Sequence, residues 1–214
     1  MTFHKLNKEF SNKTVDIIGC GSIFPEIKEK LSKKTVGIAG CGGLGSNAAV
    51  ALARAGVGKL IIADFDVIVE SNLNRQYFFY AQIGMKKCLA LKENIISINP
   101  KCSVIAIDIE LDEKNIPEIY KNCDLIIEAF DTAESKLMLV ETVLINFPTL
   151  PLIIGSGVGG WGKFESIKIE QYDNIYICGD NTNEVSALYP PMAPRIGIVA
   201  NMQANKALEI LLKS

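Results

Sequence analysis

From Thr35 onward, short apolar runs alternate with longer segments whose apolar positions recur at helical spacing. A run apolar on both faces reads as a buried strand of a parallel sheet, and the periodic segments read as helices that cover it. "TVGIAG", "KLIIAD", "SVIAID", "DLIIEAF" and "PLIIGSG" are the predicted strands. "LGSNAAVALARAG", "KKCLALKENIISI", a piece around "IPEIYKN" and "AESKLMLVETVLINF" are the predicted helices. Their ends carry stop signals: Gly56 after the first, Asn99-Pro100 after the second and Pro148 after the last, because the residue before proline is pushed out of the helical region. The period then changes. "KFESIKIEQY" alternates like an antiparallel edge strand, a Gly- and Pro-containing stretch runs to Pro194, and "RIGIVANMQANKALEILLK" forms a final amphipathic helix. Before Thr35 the pattern is weaker, with "TVDIIGCGS" as a short strand and "FPEIKEKLSKK" as a helix. The order implies an α/β fold: a Rossmann-like, mostly parallel sheet with helices on both faces, extended by antiparallel strands near the C-terminus. Residues 1–34 would be an N-terminal appendage to a single domain over 35–214.

Composition narrows the partners more than the fold. The chain has 214 residues, 49% of them hydrophobic, enough for one domain with a substantial core. Its 22 basic and 24 acidic residues leave a net charge of −2, so no nucleic-acid partner is expected. No apolar run is long enough for a membrane span, and "MTFHKLNKEF" lacks the apolar core of a signal peptide, so a cytoplasmic location is expected. The six cysteines, Cys20, Cys41, Cys88, Cys102, Cys123 and Cys178, form no C-x-x-C pair. They read as reduced thiols packed as small hydrophobes. The single histidine, His4, is assigned no role.

"GCGGLG" sets Gly40, Gly42 and Gly45 in G-x-G-x-x-G spacing between a strand and a helix. In that setting the first glycine permits the turn, the second lets backbone approach a phosphate, and the third lets helix and strand pack closely. The helix start then offers free N–H groups to an anion. Asp64 ends the next strand, 19 residues past Gly45, where an acid can hold ribose hydroxyls. These features define a nucleotide site without saying which nucleotide.

"SNLNRQYFF", Ser71 to Phe79, supplies the discrimination. Arg75, one of three arginines, follows the ribose strand among amides and can neutralise phosphate oxygens with a planar fork of donors. Arg54, on an apolar-faced helix, reads as a solvated or capping charge. Asn72 and Gln76 add neutral hydrogen-bonding groups. Lys87 opens a helix, an unfavourable place for a cation unless an anion is near, which suggests a second phosphate contact. Asp131, in "EAFDTAES", stands at the carboxyl end of the fourth strand. It reads either as a ligand of phosphate-bound Mg²⁺ or as the N-cap of the following helix. Hydride transfer to NAD needs neither the cations nor the metal, whereas attack on an α-phosphate does.

"GIAGCGGLGSN", "LARAGVGKLIIADFDVIVESNLNRQYF", "IGMKKCLALKENIISINP" and "EAFDTAESKLML" strongly resemble the ThiF/MoeB family of adenylyltransferases, relatives of ubiquitin-activating enzymes. The C-terminal "MAPRIGIVANMQANKALEILL" is similar to the short ThiF-type branch linked to thiamine biosynthesis. The resemblance covers roughly residues 33–214. It implies activation of the C-terminal Gly-Gly carboxylate of a small ubiquitin-like sulfur carrier, which attacks the α-phosphate of Mg·ATP to give an acyl-adenylate and pyrophosphate. It further implies that Gly40, Gly42, Gly43 and Gly45 line the phosphate loop and that Asp64 holds the ribose, with Asp66 beside it. Asn72, Arg75 and Lys87 would bind the phosphates, Gln76 would line the site, Asp131 would serve Mg²⁺, and the protein would be a homodimer.

Two departures from the family pattern stand out. Relatives often bind structural zinc through two C-x-x-C pairs; this chain has none, so no zinc is expected. Relatives also commonly place an arginine from the partner subunit's N-terminal region over the ATP phosphates, whereas residues 1–34 hold no arginine. Lys13 or Lys28 would substitute, or adenylation would be organised differently. Cys178 is the only cysteine near the later crossover loop, where some relatives transfer sulfur, and it has no flanking cation to lower its pKa. Two competing functions use fewer of these residues. An NAD-binding oxidoreductase leaves Arg75, Lys87 and Asp131 without a task, and a non-catalytic scaffold would bind nucleotide or a ubiquitin-like partner without turnover.

Overall fold

The computed structural model describes residues 25–213. The elements are α1 (Pro25–Ser32), β1 (Thr35–Ala39), α2 (Gly43–Ala55), β2 (Lys59–Ala63), α3 (Lys87–Ile98), β3 (Ser103–Ile107), α4 (Asn115–Tyr120), β4 (Leu125–Glu128), α5 (Ala133–Asn146), β5 (Leu152–Ser156), β6 (Lys168–Tyr172), β7 (Ile175–Gly179) and α6 (Ala193–Lys213). They build one seven-stranded sheet in the order β3-β2-β1-β4-β5-β7-β6. All neighbours are parallel except β6 and β7. The fold class expected from the apolar pattern is therefore observed.

Alternation along the strands sorts the core into two layers, one on each face of the sheet. Val36 and Ile38 of β1, Leu60 and Ile62 of β2, and Leu125 and Ile127 of β4 pack with α2, α3 and α6. Ala39, Ile61, Ala63 and Ile126 face the other way, against α4 and α5. There the Tyr120 hydroxyl donates to the Ile38 carbonyl at 3.0 Å, which satisfies a buried polar tip. The apolar face of α6 is used within the chain: Ile196, Val199, Ala200, Ala204, Ala207 and Leu211 are all buried. Leu31 of α1 joins the same layer at 2% exposure, and Lys30 Nζ donates to the Leu212 carbonyl at 2.7 Å.

The structure changes the sequence reading in two places. β7 was not predicted; it lies inside the Gly- and Pro-containing stretch and inserts between β5 and β6. The alternating "KFESIKIEQY" is a strand only from Lys168, because Phe164–Ser166 is a 3₁₀ turn entered through Lys163 at φ 48°. The strand expected over "TVDIIGCGS", with Cys20, and the residues His4 and Lys13 lie outside the described residues.

Because β1, β2, β4, β5 and β7 all run the same way, the loops that follow them emerge at one edge of the sheet. β1 is bonded to both β2 and β4. The chain order therefore reverses there, and a crevice opens at that edge.

Candidate functional site

The turn from β1 into α2 is shaped by backbone approach. Gly40 has φ 96°, and a Cβ at Gly45 would lie 1.9 Å from the Gly40 carbonyl oxygen. Only glycine fits either position. Gly42 is the N-cap of α2 and makes no side-chain cap bond. No side chain caps the first N–H groups of the helix, and such a helix start can receive an anion.

Asp64 follows β2 and grips this turn. Its carboxylate accepts the Cys41 N–H at 2.6 Å and the Asp66 N–H at 2.8 Å. Burial raises its pKa, and those two bonds and the charge of Lys87 oppose the shift. Lys87, 6% exposed, pairs with the exposed Asp66 at 2.6 Å. That pair accounts for a cation in the first turn of α3 without a phosphate, so the placement of Lys87 is weaker support for a phosphate contact than the sequence suggested.

The polar cluster lies against the glycine turn. Asn72 and Gln76 are buried, and Arg75 is half-buried. Asn72 Oδ1 accepts the Val69 N–H at 3.1 Å and shapes the 3₁₀ turn Glu70–Asn72. The Arg75 stem packs beside Gly43, its Cγ 3.7 Å from where a Gly43 Cβ would be. Its guanidinium donates to the Ser71 carbonyl at 3.0 Å and to Asn74 Oδ1 at 2.8 Å. Burial lowers its pKa, and the charge of the Asp131 carboxylate opposes that shift. Gln76 Nε2 approaches Gly42, and the Gln76 carboxamide oxygen is buried with no hydrogen-bond partner among the described residues. A buried acceptor of this kind is open to a donor such as a hydroxyl or an amine.

Asp131 is exposed after β4. The N-cap of α5 is Thr132, whose hydroxyl accepts the Ser135 N–H at 3.2 Å, so the capping alternative for Asp131 fails. Behind it, Glu128 is fully buried and held by Lys136 at 2.9 and 2.8 Å, with Lys136 also donating to the Gly155 carbonyl at 3.0 Å. Burial raises the Glu128 pKa against the pull of Lys136.

Sequence reasoning passed over the residues that hold the cluster in place. Ser46 Oγ accepts the Tyr77 N–H at 2.9 Å while donating to the Gly42 carbonyl at 2.6 Å. Asn47 Nδ2 donates to the carbonyls of Gly43 and Arg75 at 2.7 and 2.9 Å. Two polar residues in the first turns of an otherwise apolar helix were the available signal. Arg54 is exposed at the other end of α2, 3.4 Å from the Tyr77 hydroxyl. Cys178 is fully buried, and desolvation pushes its thiol up to about 12, so it is a packing residue rather than a reactive one. Among the described residues no three His, Cys, Asp or Glu side chains cluster as a metal site, and no helix is long and apolar enough to cross a membrane.

The glycine turn, its carboxylate clamp and the reversal of strand order define a Rossmann-like α/β domain. The chain belongs to the ThiF family, whose sequence model matches residues 9–214. It is 34% identical over 166 residues to the adenylyltransferase and sulfurtransferase UBA4 of Eremothecium gossypii, covering 77% of this chain and 35% of that one. It is 30% identical over 181 residues to the molybdopterin-synthase adenylyltransferase of Haemophilus influenzae, covering 79% of this chain and 71% of that protein. The chain thus spans well under half the length of the UBA4 proteins it matches. In fold, it superposes with a TM-score of 0.80 on the Escherichia coli tRNA N6-threonylcarbamoyladenosine dehydratase TcdA, crystallised with ATP, at 20% identity over 88% of this chain and 90% of that one.

Proposed function

We propose that this protein is an ATP-dependent adenylyltransferase that activates the C-terminal Gly-Gly carboxylate of a small ubiquitin-like sulfur carrier. The observation that carries the reading is the convergence at one sheet edge of the Gly40–Gly45 turn, Asp64 and Arg75, with Asp131 on the loop after β4 at the same edge. The UBA4 and molybdopterin-synthase relatives, both named as adenylyltransferases, support the same chemistry.

In this reading the N–H groups of Gly42 and Gly43 and the start of α2 receive the phosphates. The Asp64 carboxylate holds the ribose with lone pairs its two backbone bonds leave over, and Asp66 stands beside it. Arg75 turns from Ser71 and Asn74 onto phosphate oxygens, Asn72 keeps the Arg75 turn in shape, and Gln76 gives its orphan carboxamide to the nucleotide. Lys87 shares its charge between Asp66 and the phosphates. Mg²⁺ fits as an ion that arrives with ATP: it keeps its waters and needs only one or two carboxylates besides phosphate oxygens, which matches the single exposed carboxylate of Asp131. When bound it would supply charge neutralisation. The carrier carboxylate oxygen forms a bond to the α-phosphorus as the bond to the β-phosphate bridging oxygen breaks, and pyrophosphate leaves with that electron pair. The side chains contribute position and charge neutralisation rather than covalent chemistry.

Thiamine biosynthesis as the pathway rests on the "MAPRIGIVANMQANKALEILL" pattern, and the homodimer rests on family resemblance. Lys28, exposed on α1, remains the described candidate to replace the missing arginine. The deciding experiment is isotopic ATP–pyrophosphate exchange with and without a recombinant ubiquitin-fold carrier ending in Gly-Gly. Carrier-dependent exchange is expected, with Mg·ATP bound in calorimetry and NAD silent. NAD binding with ATP silent would replace the reading by an oxidoreductase, and ATP binding without exchange would replace it by a scaffold.

A further inference from the structure

The β1–β2 half of the crevice is accounted for by the nucleotide. A second substrate that attacks the α-phosphate must come from the other half, where the loops after β5 and β7 emerge. Those loops, residues 157–163 and 180–192, contain almost no regular structure, and Gly157, Gly160, Gly162, Lys163 and Asn181 all have positive φ. They also expose apolar side chains, Trp161, Val185 and Leu188 among them.

One buried ion pair holds both loops. Arg195 lies in the first turn of α6 and is 3% exposed, a position where the helix dipole disfavours a cation. It pairs with the fully buried carboxylate of Asp180 and donates to the carbonyls of Gly162 at 2.8 Å and Gly157 at 3.4 Å. Asp180 Oδ1 in turn accepts the N–H groups of Thr182 at 2.9 Å and Asn183 at 2.8 Å, and its other oxygen takes the Asn183 carboxamide. The next residue, Ile196, packs onto Gly43, its Cγ2 3.1 Å from where a Gly43 Cβ would lie. The clamp is thereby registered against the glycine turn. Beside it lies a cavity of about 160 Å³ lined by Arg195, Trp161, Phe164, Ile167 and Met192. A buried ion pair is a weak device for stability, since apolar residues often serve as well. What this one supplies is direction: it ties two loops and a helix start to fixed backbone atoms.

We propose that Asp180 and Arg195 are the positioning pair of the second-substrate half of the site, fixing the loops after β5 and β7 as the surface that receives the ubiquitin-fold carrier and its extended tail. The inference rests on the adenylyltransferase reading above. The pair touches neither nucleotide nor reacting atoms, and it acts through the loops.

The test compares wild type with Arg195→Lys and with the double variant Asp180→Asn/Arg195→Met, which removes both charges and so leaves none buried alone. In pyrophosphate exchange with a carrier ending in Gly-Gly, the double variant should raise the carrier KM by about tenfold or more, with kcat and the ATP KM within about twofold. Arg195→Lys, which keeps the charge and loses the fork, should fall between. Amide hydrogen exchange should quicken by about tenfold over 157–163 and 180–192 and stay unchanged over 40–46. An unchanged carrier KM in either variant, or an ATP KM that rises in step with it, overturns the role. Unchanged loop exchange overturns the clamp itself. Absence of carrier-dependent exchange in wild type instead overturns the function on which the role rests, while loop exchange still reports on the clamp.

Discussion

Replacing Gly45 by alanine separates the glycine turn's work from ordinary packing. The new Cβ would sit 1.9 Å from the Gly40 carbonyl oxygen and 2.9 Å from its carbon, so the two backbones must part by about 1.5 Å to reach ordinary contact. Gly40 has little room to retreat. Its N–H is bonded to the Ala63 carbonyl at 2.9 Å, and its Cα faces the Ala129 carbonyl. The strain therefore falls on the start of α2, whose N–H groups are the proposed anion site. Overpacking of this kind costs about 1–3 kcal/mol. The upper end applies because backbone meets backbone, and at about 2–4 °C per kcal/mol for a chain of this size Tm should fall by roughly 6–12 °C. Displacing one charge-assisted hydrogen bond forfeits about 1.5–3 kcal/mol, so the Kd for Mg·ATP should rise by about tenfold to a hundredfold.

Gly56→Ala is the matched control. Gly56 closes α2 at φ 99° with nothing within 4 Å of a would-be Cβ. It should lose about 1–2 kcal/mol through left-handed strain alone and bind ATP as wild type does. Melting curves and calorimetric titration read both quantities. If Gly45→Ala kept ATP affinity within twofold of wild type (a change of about 0.4 kcal/mol), or if Gly56→Ala weakened ATP equally, the phosphate assignment would be wrong.

Arg75→Ala should cost about 0.5–1.5 kcal/mol, the worth of its local bonds, yet abolish most pyrophosphate exchange; Arg75→Lys should rescue it only partly, and near-normal exchange in the alanine variant would refute the role. Asp131→Ala should change stability by no more than about 0.5 kcal/mol, since Thr132 caps α5, while exchange at saturating Mg·ATP collapses; retained exchange would remove Asp131 from the site. Cys178, with its thiol held up at about 12, should resist alkylation in native protein at pH 8 and react only on unfolding, as mapped by mass spectrometry; rapid native labelling would contradict its burial. Burial pushes the Asp180 carboxyl up, but hydrogen bonds from Asn183 and Thr182 and the charge of Arg195 together outweigh it and hold the pKa at about 2. A lowered carboxyl stabilises the fold above its unfolded pKa and loses that contribution as pH falls, here from about 4 to about 2. Asp180→Asn should flatten that part of the stability–pH curve, and an unchanged acid limb would deny the pairing.

The β1–β5 core was legible because each strand is apolar on both faces and each helix carries its own stop. Gly56 takes the left-handed cap, and Asn99 before Pro100 is extended at φ −139°. β7 escaped for a different reason. Its partner β5 is parallel and lies across a crossover, while β6 pairs on its other side, and nothing local in "IYICG" reports an insertion between two strands. The Asp173-Asn174 turn, with Asp173 at φ 51°, was a hairpin signal in plain view.

The site divides along the same line. The turn at Gly40 and the close approach at Gly45 could be read because they follow from short-range backbone geometry, whereas the bonds from Cys41 and Asp66 to the Asp64 carboxylate were not foreseen. Lys87 was half legible: the anion that its helix position demanded was in the chain, at Asp66, reached through a fold-back that pairs Val67 with Lys86. The Asp180–Arg195 pair was legible at one end only. Asp180 and Arg195 meet only because β7 inserts beside β5, so the clamp depends on a strand that the apolar pattern alone did not predict. Where a charge is buried against a partner that only the topology brings near, the sequence marks the charge and withholds the partner. Arg195 was visible as a rare arginine opening an apolar helix, and a cation in that position already required an anion from somewhere else in the fold.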